Sequence, residues 1–174
     1  MSRGLTKLFA CMFVIGTCSF AAAEDNALSS RDKYFITKAA QAGHAEVAAG
    51  KIAGSKSSND AVKKFSEEMV ADHVKAGDEL AAIAQKKGIT PPAEPDSVHK
   101  KLNDKLESAK PGEFDKLYVR EAGIKDHKAV VLLFEDQAKN GTDADLKAFA
   151  QKTLPTIKHH YQMAEDLSKP ANAK

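Results

Sequence analysis

Apolar residues in this chain recur every three or four positions from about residue 30 to 168, and breakers divide them into four long stretches. The first predicts a helix over about Ser30–Ser55, capped by Ser29 or Ser30, with the stripe Ile36, Ala39, Ala40, Gly43, Val47, Gly50 and Gly54. Its small residues permit close backbone approach. Ser57-Ser58-Asn59-Asp60 forms a tight loop and caps a second helix that carries Val62, Phe65, Met69, Ala76, Leu80 and Ile83 and stops at Gly88. A third begins near Gly112 with Leu117, Ile124, Val131, Phe134 and Ala138. Asn140-Gly141-Thr142-Asp143 ends it and caps the fourth, which shows Leu146, Phe149, Ala150, Leu154, Ile157, Tyr161, Ala164 and Leu167. Pro155 inside that helix removes one ladder bond and is expected to bend it.

The connector from Gly88 to Pro111 is long, with Thr90-Pro91-Pro92 and a short amphipathic piece over Ser97–Ala109. A helix of this length spans roughly 40 Å at 1.5 Å per residue, a distance that two dozen half-extended residues can retrace. The second and third helices can therefore run parallel. The expected fold is all-α, a ferritin-like four-helix bundle of two hairpins joined by a long crossover that contains a short helix. An internal repeat agrees with it. Ile36 to His44 aligns with Val119 to His127 without a gap, and after a one-residue insertion Val62-Lys-Lys-Phe65 meets Leu146-Lys-Ala-Phe149. One helical hairpin has been duplicated.

Residues 1–23 read differently. Arg3 and Lys7 precede an apolar run from Leu8 to Phe20 and then Ala21-Ala22-Ala23, the pattern of a cleaved secretory signal peptide. Cleavage after Ala23 is expected, with lipidation at Cys18 as the minor alternative, because Thr17 is a poor neighbour for it. The whole chain has 174 residues, a formal charge of +2 and two cysteines. Cleavage leaves 24 basic against 24 acidic residues and no cysteine, which excludes a disulfide framework and a thiol nucleophile. Residence in the periplasm follows, with loose outer-membrane association as a variant and no membrane span. The lysines are scattered among acids, so no nucleic-acid stripe forms. A homodimer through the Gly/Ala-rich first helix is a further expectation.

Five ionisable residues fall on or beside the apolar stripes: Glu46, His73, His127, Glu135 and His160, with Asp72 and Met69 as neighbours. His44 is on a flank, His159 points away and His99 lies in the crossover. Buried charge is costly unless paired or metal-bound, and imidazoles with carboxylates suit zinc, iron or copper. The di-iron pattern of ferritin-like proteins needs Glu-x-x-His on two helices. Val70, Ile124 and Ile157 stand three residues before His73, His127 and His160, so no such motif exists here. Glycine-rich phosphate loops, a Gly-x-Ser-x-Gly elbow and His-Glu-x-x-His are also missing, so no catalytic residue is assigned. Two functional expectations remain. One is a metal ion in the bundle core, serving metal handling or envelope stress. The other is a metal-free structural or partner-binding bundle with a buried His/Glu hydrogen-bond network.

The order of motifs resembles the bacterial family catalogued as domain of unknown function 4142. The matching segments are Gly-His-Ala-Glu-Val (43–47), Phe-Ser-Glu-Glu-Met-Val-Ala-Asp-His (65–73), Phe-Asp-Lys-Leu-Tyr-Val (114–119), Asp-His-Lys-Ala-Val (126–130) and Thr-Leu-Pro-Thr-Ile-Lys-His-His (153–160). The resemblance implies an exported ferritin-like bundle and supplies no activity. It carries over Glu46, Asp72, His73, His127 and His160.

Overall fold

The computed structural model describes residues 28–170; the signal-peptide and lipidation expectations lie outside them. Six α-helices and one π-helical segment follow in order. They are α1 (Ser30–Lys56), α2 (Asp60–Lys86), α3 (Ser97–Ser108), α4 (Pro111–Tyr118), the π segment (Val119–Asp126), α5 (His127–Asn140) and α6 (Ala144–Ser168). α4, the π segment and α5 form one continuous rod, the third long helix of the sequence pattern. Side-chain caps begin α1, α2, α3 and α6: Ser29 accepts from the Asp32 amide, Asn59 from Ala61 and Val62, Asp96 from Val98 and His99, and Asp143 from Leu146. α2 ends before Gly88, whose φ of 70° is the positive value a glycine permits at a helix end. α6 runs unbroken through Pro155, whose side chain is exposed. Among the described residues no helix is long and apolar enough to cross a membrane.

Two apolar clusters fix how the helices run. One joins Phe35 and Ile36 of α1 to Leu80 and Ala84 at the end of α2, Val130 and Phe134 of α5, and Leu146, Phe149 and Ile157 of α6. The other joins Ala49 and Ala53 late in α1 to Val62, Phe65 and Met69 early in α2, Phe114 and Tyr118 of α4, and Ala164 late in α6. The start of α1 thus lies with the end of α2, the end of the third rod and the start of α6. α1 and α6 run one way, α2 and the third rod the other, as a long crossover requires. α3 packs on α1 within that crossover, burying Leu106.

The small residues of α1 are used inside this bundle. Ala39, Ala40, Ala42, Ala45, Ala49 and Ala53 are all buried within one chain, while Gly54 of the same stripe is exposed. Gly50 lies at a close approach. A Cβ there would lie 2.8 Å from Val70 Cγ2 and 3.2 Å from the Ser66 carbonyl oxygen. In contrast, Gly43 of α1 and Gly77 of α2 would each place a Cβ in open space. Gly43→Ala and Gly77→Ala are expected to stabilise the fold by about 0.5–1 kcal/mol each. Gly50→Ala is expected to destabilise it by roughly 1–3 kcal/mol through overpacking. Urea denaturation midpoints at constant slope check both signs.

Candidate metal centre

Between the two apolar clusters the core turns polar. Glu46 of α1, His73 of α2, His127 at the start of α5 and His160 of α6 meet there; His127 and His160 are fully buried, and Glu46 and His73 nearly so. The ring centroids are 5.3 Å apart for His73 and His160, 5.6 Å for His73 and His127, and 5.8 Å for His127 and His160. One nitrogen from each ring lies within 4.8 Å of one from each of the other two.

Two of the rings are hydrogen-bonded from one side, and the third has a carboxyl, itself without a hydrogen-bond partner, beside it. His127 Nδ1 is 2.9 Å from the Ala122 carbonyl oxygen and 3.4 Å from Glu46 Oε1. A carbonyl only accepts, so Nδ1 carries the proton and Nε2 keeps its lone pair. His160 Nε2 is 3.0 Å from Asp72 Oδ2, and His73 Nδ1 is 3.0 Å from Glu46 Oε2. The opposite nitrogens, His73 Nε2, His127 Nε2 and His160 Nδ1, are buried without a hydrogen-bond partner. Buried polar atoms are almost always paired, and three unpaired imidazole nitrogens in one cluster form a conspicuous exception. Outer hydrogen bonds that fix the ring and leave the second nitrogen free are what metal-binding histidines commonly have.

The π segment sets up this geometry. Buried positions in and beside it are 118, 119, 122, 123 and 127, and His127 Nδ1 meets the carbonyl five residues back. Such wider i→i+5 turns are often found at functional sites. His127 is buried here although its partner in the repeat, His44, is exposed on α1.

Burial dominates the electrostatics. It pushes the Glu46 carboxyl well above its ordinary value, reinforced by Asp126 and opposed by His99. It pulls His73 well below, helped by His127 and His160. His127 is lowered by burial despite the Ala122 carbonyl and Asp126, and His160 by burial and His127 against the pull of Asp72. Burial thus favours the uncharged forms, a protonated carboxyl and neutral imidazoles.

The metal-free protein should therefore have a stability maximum near pH ~6.5–7. Below the unfolded histidine value of about 6.5 the unfolded chain takes up protons first, so stability falls with pH. Above about 4.5 the unfolded Glu46 is ionised while the folded one is still protonated, so its contribution falls as pH rises. Up to three histidines oppose one carboxyl, which makes the acid arm the steeper. Chemical denaturation across pH 5–9 in chelator measures both slopes, and a flat profile would contradict this account.

Not every residue on the sequence stripes arrives. Glu135 is half exposed and pairs with Lys158 at 2.6 Å. It lies eight residues past His127, roughly 12 Å along the axis and about 80° round it, and Phe134 takes the inward position. Met69 packs among Phe65 and its apolar neighbours. His44 and His159 are exposed, and His99 sits against Asp96 at 2.7 Å and Asp126 at 4.0 Å. Nothing in the stripe pattern marks the Ala122 carbonyl, Asp126, or the buried Tyr118 hydroxyl, which has no partner and is raised by burial and by Glu46. Glu68 stands with Asp72 within 4.8 Å of His160 on the outer side of the cluster.

Three neutral imidazoles form a donor set suited to zinc, copper or iron(II), with a coordination position to spare. Around a tetrahedral zinc the nitrogens would be roughly 3.4 Å apart, against a spacing within 4.8 Å between one nitrogen of each ring here.

Fold and site together define an all-helical bundle with a buried three-histidine cluster. The chain belongs to the family described as Domain of unknown function (DUF4142), whose match covers residues 18–167. Among solved structures it is similar to the crystal structure of a DUF305 fragment from Deinococcus radiodurans. That match has a TM-score of 0.71 and 11% identity, covering 81% of this chain and 97% of that one. At such identity the likeness carries the fold alone. No curated protein matches the chain.

Proposed function

We propose that this is an exported metal-binding bundle that holds one transition-metal ion through His73, His127 and His160. The Ala122 carbonyl and Asp72 orient His127 and His160, and Glu46 stands beside His73. The observation that carries the reading is the set of three buried ring nitrogens without partners, two of them on rings hydrogen-bonded from the other side. A hydrogen-bond network built only for stability would be expected to satisfy those nitrogens, because each one left unpaired costs about 1–3 kcal/mol. The ion is held for metal handling or defence of the envelope, and the missing reaction motifs argue against turnover. Export rests on the charge and apolar pattern of residues 1–23, with the periplasm as destination.

Elemental analysis of untagged protein purified from its native periplasm tests the reading and identifies the metal among zinc, iron and copper. About one ion per chain is expected in the parent and almost none in His73→Ala/His160→Ala. Equal metal in the two would defeat the proposal. Glu135→Gln should match the parent, because its carboxylate faces Lys158 rather than the cluster.

A further inference from the structure

Beside the histidine cluster the bundle is hollow. A cavity of about 350 Å³ lies between α1, α2, α6 and the Pro91-Pro92-Ala93 stretch of the crossover. Apolar side chains, among them Ala40, Leu80, Phe134 and Ile157, make most of its wall. Glu46, Asp72, His73 and His160 gather at one end.

Two observations set this space apart from a packing defect. The first concerns its glycines. Gly43 and Gly77 both line the cavity in mid-helix, and neither is required by a neighbour, since a Cβ on either would meet nothing within 4 Å. Gly50 and Gly123, where helices do press together, show what a packing glycine looks like. Glycine in a helix interior is unfavourable, so its use here keeps a space open at a cost in stability. The second observation is charge. The lining includes Asp72 and Asp78 but no lysine or arginine, so an anionic occupant would meet carboxylates and no countercharge.

We propose that the cavity is a binding site for a neutral, largely apolar small molecule with a single nitrogen or oxygen head group, received at the His73–His160 end. An apolar cavity of about 150 Å³ accommodates benzene, so this one scales to roughly fourteen non-hydrogen atoms. The volume is at the lower end for small-molecule pockets, and the arrangement of apolar walls with a few convergent polar groups is typical of them. Occupancy does not depend on an ion in the cluster, because the ring nitrogens without partners can meet a head group directly.

The test uses metal-free protein in chelator at pH ~8, so that its result is separate from that of the metal reading. The probe is 4-phenylimidazole, and cinnamate, which matches it in non-hydrogen atoms, is the anionic comparator. Titration calorimetry should give one saturable site below about 1 mM for the probe and at least about tenfold weaker binding of the carboxylate. Amide shift changes in the parent should centre on the cavity wall. Gly77→Leu and Gly43→Leu, which place bulk where there is room, should each weaken the probe by at least about tenfold. Absent saturation, equal binding of the anion, shift changes elsewhere on the bundle, or leucine variants that bind like the parent would each overturn the proposal. Should neither variant fold, the shift map of the parent decides.

Discussion

Adding zinc to the metal-free protein is expected to raise its melting temperature by about 10 °C. Ligand that binds only the folded state stabilises it by about 4 kcal/mol at a thousandfold excess over Kd. For a domain of this size each kcal/mol is worth about 2–4 °C. The three rings come from three helices in the middle of the bundle, so an ion there ties α2, α5 and α6 together at one point. His127→Ala should abolish the shift, because it removes the ring that the Ala122 carbonyl aims. A self-contained polar network makes the opposite forecast, with zinc moving the transition by no more than about 1 °C. Thermal scans with and without zinc, on parent and variant, separate the two.

The second large effect is expected at the far end of the bundle. Asp32 is fully buried near the start of α1. It accepts hydrogen bonds from the Ser29 hydroxyl at 2.6 Å, from Gln137 Nε2 at 2.7 Å, from the Thr142 hydroxyl, and from the Thr142 and Asp143 amides at 3.3 Å. Burial pushes its carboxyl up, but those donors outweigh burial and hold it at about 2. One carboxylate thus fastens the α5–α6 turn to α1. Asp32→Ala should cost about 3–5 kcal/mol, since it strands several buried donors at once. The sign with pH follows. The unfolded residue titrates near 3.8, so an ionic contribution of roughly 2–3 kcal/mol is fully present above that value and is lost as pH falls toward 2. The stability gap between parent and variant, measured in urea, should therefore narrow between pH ~4 and ~2. A gap independent of pH would mean that shape rather than charge makes the contact.

These two sites were unequally legible in the sequence. His73 and His160 could be read because each continues a 3.6-residue stripe on a regular helix. Glu46 was legible as a stripe edge, and the structure puts it fully inside. Glu135 misled because Val131 and Ala138, taken as core, are only half-buried, whereas Val130, Phe134 and Gln137 point inward. The wider turn at Val119–Asp126 shifts the phase of the third rod, and nothing in its composition marks it. Asp32 was invisible for another reason. An acid in the first turn of a helix is ordinary capping chemistry, and its partners lie more than a hundred residues away. The crossover topology was legible from loop length alone, whereas the cavity, being a property of what is missing between helices, was not.

The repeat gives the site a handedness. Matched through the duplication, His127 corresponds to His44, His160 to Ala76 and His73 to Ile157. No histidine of the cluster has another of the three as its mate, so an ion bound by them would have no counterpart across the duplication. His44, Ala76 and Ile157 all border the cavity. The bundle is thus repeated in its helices and polar in its interior: the positions that carry imidazoles are drawn from both halves of the duplication, and their mates border the cavity. A mononuclear centre beside a pocket, in place of a paired centre, is what that asymmetry makes room for.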